Sequence, residues 1–184
     1  MMKYYKRGFG LGMSKGFTLI ELLVVIAIIG ILASIVLASL DSARKKGRDA
    51  RRIADVKQLQ LALELYYDAC NAFPTALTAG VTGSACSGLV GPGYISTIPN
   101  DPTAGPYAYA GYATAANAPC VSYHLGASLE TTGHSALSTD ADATTTASTG
   151  YVLCTGSGAD FVGDDVLKCI AANTAGQACF DVRP

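Results

Sequence analysis

The sequence predicts an α+β fold, one long N-terminal helix followed by a small head built from short strands. Three observations carry this expectation. From Phe17 the chain is apolar for about 24 residues with one charge, Glu21, and ~20 apolar residues are enough for a helix to span a bilayer. Beyond that run, Ile53, Val56, Leu59, Leu63, Tyr66 and Tyr67 recur at three- and four-residue steps, so the helix continues as an amphipathic one. Further on, Val121, Tyr123, Leu125 and Ala127 alternate with Ser122, His124, Gly126 and Ser128, the pattern of a half-buried strand over residues 120–130.

Taken in order, the chain divides into four stretches: 1–16, 17–40, 41–71 and 72–184. Residues 1–16 carry Lys3, Lys6, Arg7 and Lys15 and no acid. A secretory signal places its apolar region before a small-residue cut. Here the apolar run follows the candidate cut at Gly16, so cleavage removes a charged leader and keeps the membrane helix. A carboxylate in such a span is costly in lipid, which makes Glu21 a functional candidate rather than an acid snorkelling from the helix start. No proline interrupts residues 17–70, while Gly30 and Gly47 each weaken the helix by about 1 kcal/mol relative to Ala. At ~1.5 Å per residue the element is about 80 Å long and must be supported along its length. Leu61 and Leu65 lie off the apolar stripe, which points to a second buried face against a neighbouring copy.

Phe73-Pro74 ends the helix, because a residue before proline avoids the helical region. Residues 75–100 read as a Gly/Ser/Thr/Ala-rich loop with a short helix, tied down by Cys86. The prolines flanking Asn100-Asp101 mark a turn, residues 107–112 a strand, and residues 151–154 a further strand. Residues 131–149 form a Thr/Ser-rich surface loop, open to O-glycosylation or simply mobile; no Asn-x-Ser/Thr site occurs.

Charge is unevenly spread. Residues 44–52 hold Arg44, Lys45, Lys46, Arg48, Arg51 and Arg52 against Asp49, and read as a solvated collar facing acidic heads or lipid headgroups. From Gln58 onward ten acids face only Lys168 and Arg183, a formal charge of −8. An acidic head does not attract phosphate backbones, so nucleic acid is not an expected partner. Counted alone, the basic residues favour the collar over the leader as the cytoplasmic flank. The cysteines oppose that orientation. Cys70, Cys86, Cys120, Cys154, Cys169 and Cys179 all lie beyond the apolar span and form no CxxC, which reads as a disulfide set in an oxidising compartment. Fifteen pairings are open. Proximity suggests Cys70 with Cys86, Cys169 with Cys179, and hence Cys120 with Cys154.

No nucleophile elbow, metal signature or phosphate loop appears, so the chain is not read as an enzyme. His124 and His134 are taken as surface residues. No cofactor is expected beyond a structural Ca²⁺, for which Asp140, Asp142, Asp160, Asp164 and Asp165 could supply oxygens; an ordinary acidic surface is the other reading.

The start of the chain resembles the class III signal of bacterial type IV pilins and type II secretion pseudopilins. The residues are Lys15-Gly16, then Phe17-Thr18-Leu19-Ile20-Glu21-Leu22-Leu23. A looser likeness extends through Phe73-Pro74-Thr75, Gly93-Tyr94-Ile95, Ile98-Pro99-Asn100-Asp101-Pro102 and Gly105-Pro106-Tyr107-Ala108-Tyr109 to residue 130. The resemblance implies a type IV pilin-like fold, with the long helix packed by its C-terminal half on a small antiparallel sheet. It implies cleavage after Gly16 by a prepilin peptidase, N-methylation of Phe17, and an assembly role for Glu21. The freed α-amino group, with a reference pKa of ~8, is positive near neutral pH and can pair with Glu21 of another copy. At Gly30 the family often melts its helix up to a proline, where this chain has Ala38; close packing at Gly30 is the alternative. The expected function is a filament subunit of a type IV pilus or pseudopilus, or alternatively a minor tip subunit that binds a ligand or surface. The implied partners are further copies, the peptidase, an inner-membrane assembly platform, and the membrane before assembly. The implied location is a single-pass inner-membrane protein with its head outside the cytoplasm, then a cell-surface filament.

Overall fold

The structure is a computed structural model that describes residues 16–78, 80, 85–103, 105–142, 150–161, 163, 169 and 177–184. It divides into two compact units, Met1–Ser42 and Ala43–Pro184. One helix, α1 (Leu19–Cys70), belongs to both. It runs through Gly30 and Gly47 without a break, and Ser34 donates its hydroxyl to the Gly30 carbonyl at 2.8 Å. Its end lies just upstream of Phe73-Pro74. Asn71 adopts a left-handed backbone (φ 53°) and donates its N–H to the Tyr67 carbonyl at 2.7 Å, a cap that Asn tolerates better than other side-chain-bearing residues.

In the first unit the apolar side chains of α1 are exposed, among them Ile20, Ile31, Ile35 and Leu37. The segment is long and apolar enough to cross a membrane. In the second unit Val56, Leu59, Ala62, Leu63 and Tyr66 are buried, so the amphipathic stripe is the core face. Leu61 and Leu65 remain exposed.

The stripe packs on an antiparallel sheet. Strands β1 (Asn100–Asp101) and β2 (Gly105–Pro106) form a small hairpin. The main sheet contains β3 (Ala108–Ala113), β4 (Cys120–Leu129), β5 (Val152–Leu153) and β6 (Ala178–Val182), in the order β5-β3-β4-β6. Tyr109 pairs with Leu125 and Ala127 with Phe180. Tyr123, Leu125, Ala127 and Leu129 share one core with the helix stripe, Phe73, Leu89 and Phe180. A 3₁₀ turn, Ser135–Thr139, adds Leu137 to this core. No helix occurs between residues 75 and 100 among the described residues.

The opposite face of the sheet is covered, not solvated. Phe161 stacks on His124 with centroids 3.8 Å apart, and Phe161, Cys169 and Cys179 form a second small core. Gly126 makes this approach feasible, because a Cβ there would lie 2.6 Å from Phe161 Cε2. The cysteines are joined as Cys70–Cys86, Cys120–Cys154 and Cys169–Cys179. The first closes the end of α1 onto the following loop, the second ties β4 to the residue after β5, and the third fastens the outer layer to β6.

A side chain at Gly126 must displace this outer layer. Gly126→Val is expected to destabilise the head by about 1–3 kcal/mol through overpacking. The readout is a lower thermal midpoint of the detergent-solubilised chain.

Candidate functional site

Gly16 and Phe17 precede α1 in non-helical, exposed backbone. The first turn of the helix is closed by Thr18 and Glu21. Thr18 donates to Glu21 Oε2 from its backbone N–H at 2.9 Å and from its hydroxyl at 2.7 Å, and the Glu21 N–H donates to Thr18 Oγ1 at 3.2 Å. This is a reciprocal capping box, which satisfies amide donors that a helix start otherwise leaves unpaired. The arrangement holds the Glu21 carboxylate at the positive end of the helix dipole. It also keeps the Gly16-Phe17 peptide bond outside the helix. The sequence signal for it is Thr18-x-x-Glu21, the capping-box spacing, set at the head of an apolar run.

A second cluster lies where α1 meets the head. The Arg52 side chain is 1% exposed. Its Nη1 donates to Asp49 Oδ1 and to Glu130 Oε1, each at 2.8 Å. Its Nη2 donates to Asp101 Oδ1 at 3.0 Å and to Thr103 Oγ1 at 2.7 Å, and Nε reaches the other Asp101 oxygen. Arg48 grips Glu130 with a two-pronged contact of 2.7 and 2.6 Å. Asp49 accepts the backbone N–H groups of Glu130 and Thr131, both at 2.9 Å. Two of the collar's six cations are therefore parts of the head rather than solvated charges. Burial by itself would lower the Arg52 pKa, but hydrogen bonds to Asp101 and Glu130 raise it overall. The Arg48 hydrogen bond holds Glu130 down to about 2. One step along α1, the Tyr107 hydroxyl donates to Asp55 Oδ2 at 2.7 Å.

His124 is not a surface residue. It is fully buried, with Nδ1 3.0 Å from Asp160 Oδ1 and Nε2 2.7 Å from Asp181 Oδ2. It points to the sheet face that Phe161 covers, and alternation in the sequence cannot distinguish a covered polar face from a wet one. Burial favours neutral imidazole, yet hydrogen bonds to Asp160 and Asp181 raise the His124 pKa overall. Both ring nitrogens point at carboxylates inside the head, so neither is open to a substrate. His134 is half-buried and accepts the Ala136 N–H at 3.1 Å as the cap of the 3₁₀ turn.

Of the proposed calcium ligands, Asp160 is held by His124 and the Phe161 N–H. Asp140 and Asp142 sit against β6, where the Asp181 N–H donates to Asp140 Oδ2 at 3.4 Å and the Asp142 N–H donates to Asp181 Oδ1 at 3.1 Å. Asp164 and Asp165 lie outside the described residues. Among the described residues no group of three His, Cys, Asp or Glu side chains is arranged to hold a metal ion.

Residues 12–37 match the family described as the prokaryotic N-terminal methylation motif. The chain is 35% identical over 101 residues to the type II secretion system core protein G of Aeromonas hydrophila, covering 50% of this chain and 70% of that protein. It is 34% identical over 100 residues to the protein of the same name from Vibrio cholerae, covering 51% and 68%. It is 33% identical over 120 residues to that of Pseudomonas aeruginosa, covering 61% and 83%. No solved structure is significantly similar to the chain.

Removing the Arg52 charge leaves Asp49, Asp101 and Glu130 buried without their shared cation, so Arg52→Met is expected to cost about 3–5 kcal/mol. Arg52→Lys recovers only part of this, because an ammonium cannot reproduce the forked contacts; denaturant midpoints of both variants check it. The pH profile has two limbs. Glu130 has a depressed folded pKa, so its stabilisation is present above about 4.5, its ordinary value, and is lost as pH falls towards about 2. His124 has a raised one, so its stabilisation is full below 6.5 and is lost as pH rises through the folded value. Glu130→Gln should flatten the acid limb and His124→Gln the upper limb, each read from thermal midpoints across pH.

Proposed function

This chain belongs to the type IV pilin and type II secretion pseudopilin family, and we propose that it is a prepilin-type subunit that polymerises into a helical filament. In this reading a membrane peptidase cuts between Gly16 and Phe17, and the new N-terminus at Phe17 is methylated. Residues 17–40 carry the subunit in the membrane before assembly and line the filament core afterwards. The observation that carries the reading is the stretch from Gly16 to Glu21. An exposed, non-helical Gly16-Phe17 bond is followed at once by a capped apolar helix, inside the matched methylation motif.

In this reading Glu21 gains a partner of opposite charge once the leader is gone. Cleavage creates an α-ammonium group at Phe17, and in a bundle of apolar helices neither charge is tolerable alone. Pairing the ammonium of one copy with Glu21 of the next satisfies both and sets their axial register. The relatives' names favour a type II secretion pseudopilus over a type IV pilus. An extracytoplasmic head is supported by the three disulfides, which persist in oxidising compartments. The folding of Arg48 and Arg52 into the head weakens the collar as a topological signal against that orientation.

N-terminal sequencing of filaments sheared from cells should begin at N-methylated Phe17; a subunit that still carries residues 1–16 would refute the processing. Glu21→Gln should leave the chain processed and membrane-inserted while filament yield falls at least about tenfold, the loss of a buried charge pair being worth several kcal/mol. Unchanged yield would refute the assembly role of Glu21.

A further inference from the structure

The three disulfides lie in different surroundings. Cys120, Cys154, Cys169 and Cys179 are each at most 5% exposed, inside the two cores of the head. Cys86 is exposed, and Cys70, the last residue of α1, is half-buried. The Cys70 sulfur sits 3.4 Å from the Ala85 carbonyl oxygen in an exposed part of the surface. Thiol–disulfide exchange needs a thiolate to reach one sulfur of the pair, so access governs its rate. A buried pair admits that approach only when the core around it opens.

The chain around Cys86 has fastenings besides the sulfur bridge. Tyr66 donates its hydroxyl to the Cys86 carbonyl at 3.0 Å, and Tyr94 donates to the Ala85 carbonyl at 3.2 Å. The two rings meet edge to face, with centroids 5.9 Å apart. Leu89 is fully buried and donates its N–H to the Thr78 carbonyl at 2.9 Å. Beside that bond Gly80 and Gly88 approach so closely that a Cβ on Gly80 would lie 2.7 Å from the Gly88 Cα. The neck of the loop and its contact with α1 therefore do not rest on the disulfide alone.

We propose that Cys70–Cys86 is a thiol-exchange site, a disulfide that a dithiol opens in the folded head while the other two stay closed. A thiolate of the dithiol attacks the Sγ of Cys86, the more exposed residue. The bond between the two cysteine sulfurs breaks, and Cys70 Sγ leaves with the electron pair and takes up a proton. Cys86 is then held in a mixed disulfide. The second thiol of the dithiol, as its thiolate, attacks the dithiol sulfur of that bond, and Cys86 Sγ leaves and is protonated. The cysteine pair gains two electrons and two protons, and the dithiol is oxidised to its own disulfide. The step unties residue 86 from the end of α1 and leaves Leu89 in the core. The head thus alternates between a clamped and an unclamped loop without unfolding, whether or not the chain forms filaments.

The test exposes the full chain in detergent to dithiothreitol for graded times, quenches with an alkylating agent and maps the labelled cysteines by mass spectrometry. Cys70 and Cys86 should be labelled at least about tenfold faster than the other four. The chain labelled at these two alone should still melt in one cooperative transition at a lower midpoint, as should an unreduced chain bearing Cys70→Ala and Cys86→Ala. In denaturant, where every sulfur is accessible, the three pairs should open at similar rates. Limiting glutathione, a monothiol, should leave a mixed disulfide on Cys86 with Cys70 free; a mixed disulfide on Cys70 overturns the assigned order of attack. Equal labelling of all six cysteines in the folded chain, or earlier opening of either buried pair, overturns the proposal. A preference that persists in denaturant overturns the role of the fold in it. Loss of cooperative melting once Cys70 and Cys86 alone are labelled shows a bond the fold requires, and overturns the reversible clamp.

Discussion

Burying the guanidinium of Arg52 removes a cation from water at a cost of several kcal/mol, and the head is arranged so that this cost is offset. Asp49 comes from the same helix, Asp101 from the β1–β2 hairpin and Glu130 from the residue after β4. One side chain thus fixes two otherwise separate pieces of chain against α1. The apolar packing of Val56, Leu59 and Leu63 on β4 is non-directional and would tolerate sliding. The forked contacts of Arg52 and Arg48 do not, because their donors are aimed at fixed carboxylates and one hydroxyl. The apolar stripe therefore supplies the driving force for docking, and the arginines set its register.

The same logic appears on the other side of the sheet. The strands are short and rich in Ala and Gly, so one face alone buries little large apolar surface. The chain after β5 covers the second face with Phe161 over His124, and two disulfides hold the cover at its ends. His124 is the polar centre of this layer. It links Asp160 in the cover to Asp181 on β6, so the C-terminal strand and the cover are held by one imidazole. A head with two thin cores has less to lose at either one, provided both are cross-linked.

Much of this was legible where periodicity is local. The helix over 17–70, the strands near 107–112 and 120–130, and the helix stripe follow from repeats of 3.6 and 2, which need no knowledge of the partner element. The arginine cluster was not read, because a run of charged residues between an apolar span and a head resembles a solvated collar. Its clue was positional: Asp49 and Arg52 fall on the helix face that carries Val56, Leu59 and Leu63. The covered sheet face was not legible at all. Phe161 lies in a non-repetitive segment, and the polar alternation of His124 with Gly126 and Ser128 is the same whether that face meets water or carboxylates. The strand Ala178–Val182 was missed for a related reason: Asp181 interrupts its apolar pattern, and only its pairing with His124 accounts for a buried acid there.

The capping box at the helix start bears on how an acid can reside in two successive environments. In a membrane an isolated carboxylate four residues into an apolar helix would be strongly disfavoured. Here its Oε2 already accepts two hydrogen bonds from Thr18, and the helix dipole favours negative charge at that end. These interactions lie within one chain, so they are available to the subunit before it meets another. They are charge-assisted already, but their donors are neutral, so only an ammonium group can balance the charge of Glu21. In the proposed filament the exchange from Thr18 to a neighbouring α-amino group is downhill only after Gly16 has been removed, because the amine does not exist before then. In that reading Thr18 holds Glu21 in the unassembled subunit and yields to the ammonium group on assembly, so cleavage is the step that makes Glu21 adhesive.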